Sequence, residues 1–593
     1  MPLTLLLPSL IPLFGAAICP LRVFTQARLP LRRWLYMVFV ALAAVGVIIA
    51  RLPGAQPLGE LPQTSYFGAA PVLLWTPLGA LAAGLLLGAV LAGQLVRRQR
   101  PLAPEHASLR LVLLAACMGV LAAGNLLTLC VAWSIQLLAL LMLRALWRES
   151  EAEKPRPWEI WSSLLSSGLL MLGAVAMLVQ QEGDLSLIGI QPGLALNALA
   201  VAIALRILNW PRAGGLRRHW ETYLMSLVTG LYLWLRIGPA LQADGTLLSR
   251  GVGIGIALIL AGLGLTSALH RRAGRALPYV LTHWAILALL APLVDPAIGF
   301  VASLLIALHL VVSLLALRIH QTSDVSLAPL GGLAYLVAWA SLGGFPLTLG
   351  FIAHWLLVRS CWETGAGHLI TWVLISFVAN AIPAWSQVRS FAEGATAEEL
   401  PQEPVAAAED EDGAPDLEHL APSPRANEEV DTNPMLARLK RLVTGEAAAK
   451  PDGVAIAASG LAALALLAVG IVPGLVGALW PQAPLDLSIL GYSRLLGGSE
   501  TAGSALALAT ACAPLLAGLT LHRRWMGAQV SSLRPFYRSR RVVNTDWLYT
   551  VAKEQADHIL AILGQGLDVL EGSFSLAWVL IWGIALIYYM VGA

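Results

Sequence analysis

Sixteen apolar stretches, each long enough to cross a lipid bilayer, constrain the fold of this chain more than any other feature. A hydrocarbon core of about 30 Å is spanned by about 20 apolar residues in helical conformation. The stretches are continuous and lack the alternation that a transmembrane barrel requires. We therefore predict an all-α polytopic membrane protein with about 16 transmembrane helices, at residues 2–20, 35–51, 71–95, 108–123, 125–146, 160–180, 191–210, 220–240, 250–269, 277–294, 297–318, 328–358, 367–387, 453–480, 502–521 and 574–592.

The composition agrees with a protein that lies mostly within lipid. Of its 593 residues, 58% are hydrophobic and 12% are charged, whereas a soluble domain carries about 25% charged residues. The five cysteines show no spacing typical of a metal site, and we interpret them as small buried side chains. No flavin, iron–sulfur, nucleotide or metal motif occurs in the sequence. We therefore expect that the chain binds no cofactor and no metal and has no redox site of its own. The basic residues lie in short loops, and we expect the lipid bilayer rather than nucleic acid as a partner.

The distribution of arginines predicts the orientation. Basic loops follow the first, third, seventh, ninth, eleventh and fifteenth stretches, whereas the loops after even-numbered stretches contain almost none. Cytoplasmic loops are the ones enriched in arginine and lysine. We predict a multi-pass protein of a bacterial-type cytoplasmic (inner) membrane, with both termini on the non-cytoplasmic side.

Two segments differ from the apolar stretches. Residues 388–452 are rich in proline and alanine and carry thirteen acidic residues between positions 393 and 431, a composition typical of a disordered linker, here cytoplasmic. Residues 522–573 include apolar positions at helical spacing. We predict an amphipathic helix there, lying along the membrane or a neighbouring subunit before the last span at 574–593.

Several segments resemble a known family. These are "GNLLTLCVAWSIQLLALLML" (124–143), "ALRILNWP" (204–211), "LVTGLYLWLR" (227–236) and "LGGFPLTLGFIAHW" (342–355), with "DWLYTVAKE" in the tail. In this order they resemble the antiporter-like, proton-translocating membrane subunits of respiratory complex I, of related membrane hydrogenases and of Mrp-type Na⁺/H⁺ antiporters. The chain is a divergent member by this resemblance, which implies partner subunits in a multi-subunit complex.

The resemblance implies two inverted five-helix repeats, here 124–269 and 270–387. N-terminal helices at 1–123 precede them, and C-terminal helices at 453–521 follow the linker. The tail resembles the lateral amphipathic helix that the largest complex I member places before its last span.

Each repeat of the family contains one broken helix. "RILNWPRAGG" with Pro211 supplies the first break, and Gly343, Gly344 and Pro346 supply the second. Irregular backbone at membrane depth is tolerated only where protein or a wet cavity covers it. The breaks therefore indicate an internal polar path.

The residues that carry protons in the family are replaced at nearly every position. Ser134 stands where the family has a glutamate, Arg206 replaces the first lysine, and Ser313 follows His309 where a second lysine is usual. His354 occupies the position after the second break, and none of the four lysines of the chain lies within a predicted span. Because arginine does not release its proton in proteins, we expect the first half-channel to be degenerate.

The second half retains His283, His309 and His354. Imidazole exchanges protons near neutral pH, so the three rings are candidates for a proton relay. The alternative for each ring is a neutral imidazole that is hydrogen bonded to the backbone. A carboxylate, Glu221, lies near the predicted cytoplasmic end of its span, and we expect it to pair with Arg217 or Arg218.

Three functions follow from these residues. The first is a proton- or cation-translocating subunit of a complex I-like, NADH:quinone oxidoreductase- or Mrp-type assembly. The second is a structural or coupling subunit of the same fold that does not pump. The third is an independent secondary transporter that holds an anionic substrate with Arg206.

Overall fold

The computed structural model describes a helical protein. It covers residues 5–19, 29–51, 73–96, 104–145, 166–180, 187, 193–208, 213–244, 250–269, 273–322, 329–392, 453–476 and 501–527. Within these ranges the regular structure is helical apart from an isolated bridge between Leu73 and Ala123. The predicted linker beyond Ala392, most of the predicted amphipathic segment and the predicted last span lie outside the described residues.

The described residues form sixteen α-helices. In chain order they are α1 (Leu7–Ile18), α2 (Leu29–Ala50), α3 (Pro77–Val96), α4 (Pro104–Ala122), α5 (Leu126–Ala145), α6 (Ser166–Gln180), α7 (Leu194–Ile207), α8 (Ala213–Asp244), α9 (Arg250–Leu269), α10 (Ala273–Val294), α11 (Ile298–Thr322), α12 (Pro329–Leu342), α13 (Leu349–Glu363), α14 (Gly367–Ala392), α15 (Gly453–Ile471) and α16 (Thr501–Gly527).

Many of these helices are suited to a bilayer. Among the described residues, α3, α4, α5, α8, α10, α11 and α14 are long and apolar enough to cross a membrane. Eight shorter apolar helices accompany them. The chain is a multi-pass membrane protein.

The centre of the protein is built from α8, α10 and α11. These helices are buried along most of their length and pack against one another. Helices α2, α9 and α15 instead leave large apolar side chains exposed, for example Ile48, Ile259 and Leu461. In a membrane protein such outward faces are compatible with lipid or neighbouring subunits.

The predicted twelfth span, 328–358, contains two helices. α12 ends at Leu342 and α13 begins at Leu349, and the six residues between them leave the helical conformation. Gly344 and Leu347 have φ angles of 70° and 67°. Gly470 of α15 packs on this segment so closely that a Cβ atom there would lie 2.6 Å from the carbonyl carbon of Leu347. Protein therefore covers the segment on this side.

Glu221 differs from our expectation. It is 1% exposed in α8, and its Oε2 lies 2.9 Å from Nη1 of Arg110 in α4. Gln94 of α3 donates a hydrogen bond to the other carboxylate oxygen. The expected partners Arg217 and Arg218 precede it by one turn, in a part of α8 whose side chains the structure does not describe. Glu221 thus joins α8 to α4 through a buried ion pair and to α3 through a hydrogen bond.

We expect Glu221→Ala to destabilise the protein strongly. Removing one partner of a buried ion pair leaves the other charge without compensation, at a cost of about 3–5 kcal/mol. Thermal unfolding in detergent, followed by tryptophan fluorescence, measures the change.

The matched control is Glu363→Ala, which breaks the solvent-exposed pair between Arg359 and Glu363 in α13. We expect this change to cost less than about 1 kcal/mol. Equal effects of the two substitutions would contradict a stabilising role for the buried pair.

Candidate functional site

A buried arginine forms the centre of the polar residues in the predicted first repeat. Arg206, near the end of α7, is 1% exposed and donates from Nη2 to Oε1 of Gln136 at 3.3 Å. Its guanidinium carbon lies 4.8 Å from the ring centroid of Trp133. Gln136 donates in turn to Oγ1 of Thr229 at 3.0 Å. The amide and the indole ring that this arginine contacts belong to neutral side chains.

The residue beside Arg206 is not the one that the sequence motif indicated. Ser134 is half-buried and forms a hydrogen bond with Cys130, one turn earlier on α5. Gln136, two residues further along, is fully buried and contacts both Arg206 and Thr229. The side-chain amide of Gln136 within an apolar run is the feature of the sequence that could have indicated this position.

His283 on α10 has partners for both ring nitrogens. Nε2 lies 2.8 Å from Oγ of Ser376, and Nδ1 is hydrogen bonded to the side-chain amide of Asn380. Ser376 donates its hydroxyl proton to the carbonyl of Val373 at 2.7 Å, so it accepts a proton from Nε2. Nδ1 is then the acceptor of the amide, which makes His283 a neutral imidazole with its proton on Nε2.

Aromatic rings connect the three predicted histidines. His354 on α13 stacks on Phe377 of α14 with ring centroids 3.4 Å apart, and the edge of Phe377 faces His283 at 5.1 Å. Trp284, next to His283 in the chain, contacts His309 of α11 at 4.5 Å. All three imidazoles are buried. The structure therefore brings His283, His309 and His354 into one aromatic cluster.

The cluster adjoins the irregular segment between α12 and α13. A Cβ atom on Gly344 would lie 3.8 Å from Nδ1 of His354. Trp284 donates its indole proton to the carbonyl of Leu342, the last residue of α12, at 2.9 Å. On the other side, the backbone amide of Gly350 donates to Oγ of Ser341 at 3.1 Å. The backbone groups that the irregular segment releases are thus partly satisfied by residues of the cluster and of α12.

Several buried polar atoms near the cluster have no hydrogen-bond partner within the described residues. They include both ring nitrogens of His309, Nε2 of His354, Oγ of Ser313 and the indole nitrogens of Trp339 and Trp355. Ser313 follows His309 by one helical turn, so these groups share a face of α11. Buried polar groups are nearly always hydrogen bonded to protein or ordered water. The described helices supply no such partner for these atoms.

The histidine cluster does not have the donor set of a metal site. Within the described residues, no group of three or more histidine, cysteine, aspartate or glutamate side chains is arranged to hold an ion.

The residues predicted to break the second helix, Gly343, Gly344 and Pro346, lie in the irregular segment. Pro211, predicted to break the first, lies outside the described residues.

We expect Gly350→Ala to disrupt the contact of α13 with α12. The added methyl group would overlap the backbone carbonyl of Ser341 and lie 3.1 Å from its Oγ. Overpacking of this kind costs about 1–3 kcal/mol, which a lower thermal midpoint would report.

Gly84→Ala in α3 is the matched control, because no atom lies within 4 Å of its added methyl group. A glycine replaced by alanine in an unstrained helix is neutral or stabilises by up to about 1 kcal/mol. A Gly350→Ala protein as stable as Gly84→Ala would show that the two helix ends are not in close contact.

Comparisons with known proteins identify the fold. No protein-family model and no curated protein matches the sequence. Among solved structures, a chain of the Mrp complex from Dietzia sp. DQ12-45-1b is similar with a TM-score of 0.62 and 15% identity. The match covers 95% of this chain but 62% of that one, so this chain spans less than two thirds of its length.

Two further structures are covered almost completely. A chain of membrane-bound sulfane sulfur reductase, an archaeal respiratory membrane complex, matches with a TM-score of 0.57 and 14% identity, over 85% of this chain and 99% of that one. A chain of respiratory complex I from Thermus thermophilus with bound aureothin matches with a TM-score of 0.53 and 18% identity, over 82% and 99%. The chain therefore shares its fold with membrane chains of Mrp and complex I-type assemblies, as the resemblance in its sequence predicts.

Proposed function

We propose that this chain is a membrane subunit of a complex I-like or Mrp-like assembly, in which it moves protons or cations along a polar path centred on the second repeat. The observation that carries the proposal is the position of His354. Its ring is buried beside Gly344 in the segment between α12 and α13, and its Nε2 has no partner within the described residues. The fold shared with chains of such assemblies supports it.

The proposal treats α12 and α13 as the two halves of one interrupted span. Their order, the six intervening residues and the cover provided by Gly470 of α15 support this interpretation. Broken helices near the midplane place backbone dipoles and polar side chains beside a transported ion. Two inverted repeats at 124–269 and 270–387, with the break of the first repeat at Pro211, complete the proposed architecture.

Water is the proposed partner of the unsatisfied polar groups. His309, Ser313 and His354 contribute four buried atoms without a protein partner in the described helices. Leaving them unsatisfied would cost about 1–3 kcal/mol each, whereas a buried water typically makes about three hydrogen bonds. A chain of such waters would connect the imidazoles, which exchange protons near neutral pH.

The first repeat does not pump in this proposal. Arg206 holds its proton permanently, and the side chains that it contacts include the neutral Gln136 and Trp133. A fixed positive charge also forms an electrostatic barrier to protons and other cations. This half then serves as a coupling module between the second repeat and neighbouring subunits.

A subunit that holds the assembly together without pumping is the second candidate. The observation in its favour is the hydrogen-bonded state of His283, whose ring nitrogens are both occupied by side chains of α14. If His309 and His354 were held in the same way by water, the cluster would be a static polar core.

The proposed location is a bacterial-type cytoplasmic membrane, with partner subunits around the chain and both termini on the non-cytoplasmic side. The acidic linker within 388–452 and the amphipathic helix within 522–573 would then face the cytoplasm.

We expect His354→Ala to reduce proton uptake to background without dissociating the assembly. The substitution removes the imidazole beside the irregular segment, together with its stacking on Phe377. Dye quenching in membrane vesicles that contain the complete assembly measures the uptake.

Two controls accompany this change. His368→Ala replaces an exposed histidine at the start of α14, and Arg206→Met removes the fixed charge of the first repeat. We expect both variants to retain uptake. Normal uptake by His354→Ala would exclude the histidine path and leave the non-pumping subunit.

We also expect single cysteines to report the proposed orientation. A cysteine at Ala407 in the linker should react with a membrane-impermeant maleimide only from the cytoplasmic side, and one at Ala593 only from the opposite side. Labelling of both positions from one side would contradict the orientation predicted from the arginines.

A further inference from the structure

The hydrogen bonds around His283 continue to a third helix. Asn380 of α14 donates to Nδ1 of His283, and its Oδ1 lies 2.7 Å from Oγ of Ser267 on α9. The same hydroxyl lies 2.7 Å from the backbone carbonyl of Gly264. Ser267 therefore has two acceptors within reach and a single proton to donate.

The two acceptors of Ser267 allow two different sets of hydrogen bonds among His283, Asn380 and Ser267. In the first set His283 is neutral, Asn380 donates its amide proton to Nδ1, and Ser267 donates to Oδ1 of Asn380. In the second set Nδ1 carries an added proton and donates to Oδ1 of Asn380. The amide, turned by 180°, then donates to Oγ of Ser267, whose own proton goes to Gly264.

Both ring nitrogens of His283, the amide oxygen of Asn380 and one of its two amide protons have a partner in each set. An asparagine amide has nearly the same shape after a 180° turn, so no backbone movement is required. Ser376 accepts from Nε2 in both sets because its own proton goes to Val373. The two sets differ by one proton on Nδ1 and by the direction of the bonds through Asn380 and Ser267.

We propose that Asn380 is a positioning residue whose side-chain amide turns over when His283 gains a proton, so that Ser267 on α9 changes its hydrogen-bond partner. The inference rests on the proposed function, because it assigns His283 a proton during transport. It makes His283 a member of the path in spite of its satisfied ring nitrogens.

The close packing of α9 on α14 supports a role in coupling. A Cβ atom on Gly264 would lie 2.7 Å from the carbonyl oxygen of Ser376, so only glycine allows the two backbones to meet here. α9 is the last helix of the predicted first repeat, whereas α10 and α14 belong to the second. The change of partner at Ser267 therefore takes place at the proposed boundary between the repeats.

Within the part of the chain that the structure describes, the side chains in contact with His283 are uncharged. α14 contributes Ser376, Phe377 and Asn380, and α9 contributes Ser267 through Asn380. The titratable neighbours are His354 of α13, on Phe377, and His309 of α11, on Trp284. None of these contacts includes a carboxylate or a guanidinium group.

Solid-state NMR on the full chain in lipid bilayers tests the proposal without measuring transport. With ¹⁵N-labelled histidine and asparagine, and with His283 assigned by its loss in His283→Gln, we expect the His283 ring and the Asn380 amide signals to change together as the pH is lowered. A His283 signal that becomes cationic while the Asn380 signal stays constant would overturn the proposal. A His283 that stays neutral down to pH 5 would overturn it as well.

Two variants sharpen the test. In Asn380→Asp the ionised carboxylate accepts hydrogen bonds and donates none. It therefore favours the second set, in which Nδ1 of His283 donates, and the cationic fraction of His283 at a fixed pH should rise severalfold. Asn380→Leu supports neither set and should leave His283 neutral. Gln136→Glu, the same kind of exchange in the first repeat, is the control and should leave the His283 signal unchanged. Equal His283 signals in the wild type and in Asn380→Asp would contradict the proposal.

The outcomes separate this inference from the proposed function. Loss of uptake in His354→Ala together with a constant Asn380 signal would support the path and reject the amide switch. Normal uptake in His354→Ala together with coupled His283 and Asn380 signals would reject the path and retain the switch as a property of the isolated network.

Discussion

A polar group at membrane depth must find a hydrogen-bond partner, and this requirement organises the protein. Lipid offers none, so helices satisfy their own backbone and the remaining polar side chains lie between helices. An ion pair and an amide satisfy some of these side chains, as at Glu221. Buried atoms without a hydrogen-bond partner among the described residues occur both around the histidine cluster and in the predicted first repeat, for example at His309 and at Trp133. The two regions differ in the kind of buried group, because imidazoles can exchange protons and arginines cannot.

The predicted first repeat and the helices before it carry fixed polar interactions. Arg110 and Glu221 neutralise each other between α4 and α8, and Arg206 is held by Gln136 against Trp133. None of the cations in these interactions can release a proton. The histidine cluster is of a different kind, since imidazoles can gain and lose protons and Gly344 gives the irregular backbone access to His354. In the proposed account, this chain keeps exchangeable imidazoles in one half and arginine charges in the other.

The sequence was sufficient to predict the membrane fold, because continuous apolar stretches of this length leave few alternatives. The resemblance in the sequence also indicated the fold that the solved structures share. The three histidines stand out as titratable residues in apolar runs, and their role as a relay stays a prediction. The individual contacts were harder to predict. Two residues along a helix correspond to a turn of about 200°, so Gln136 rather than Ser134 reaches Arg206. Glu221 pairs with Arg110, 111 positions away in the chain, a contact that local spacing cannot indicate. The roles of Phe377, Asn380 and Ser267 depend on how α9, α10, α13 and α14 pack, which no local pattern specifies.

Ordered water is the most direct test of a hydrated path through the second repeat. A cryo-electron microscopy map of the chain in its assembly, at a resolution that shows water, measures it. We expect density within about 3 Å of the ring nitrogens of His309, of Oγ of Ser313 and of Nε2 of His354. A dry cluster, in which these atoms turn to protein partners and the two rings are sealed from each other, would contradict the proposed path.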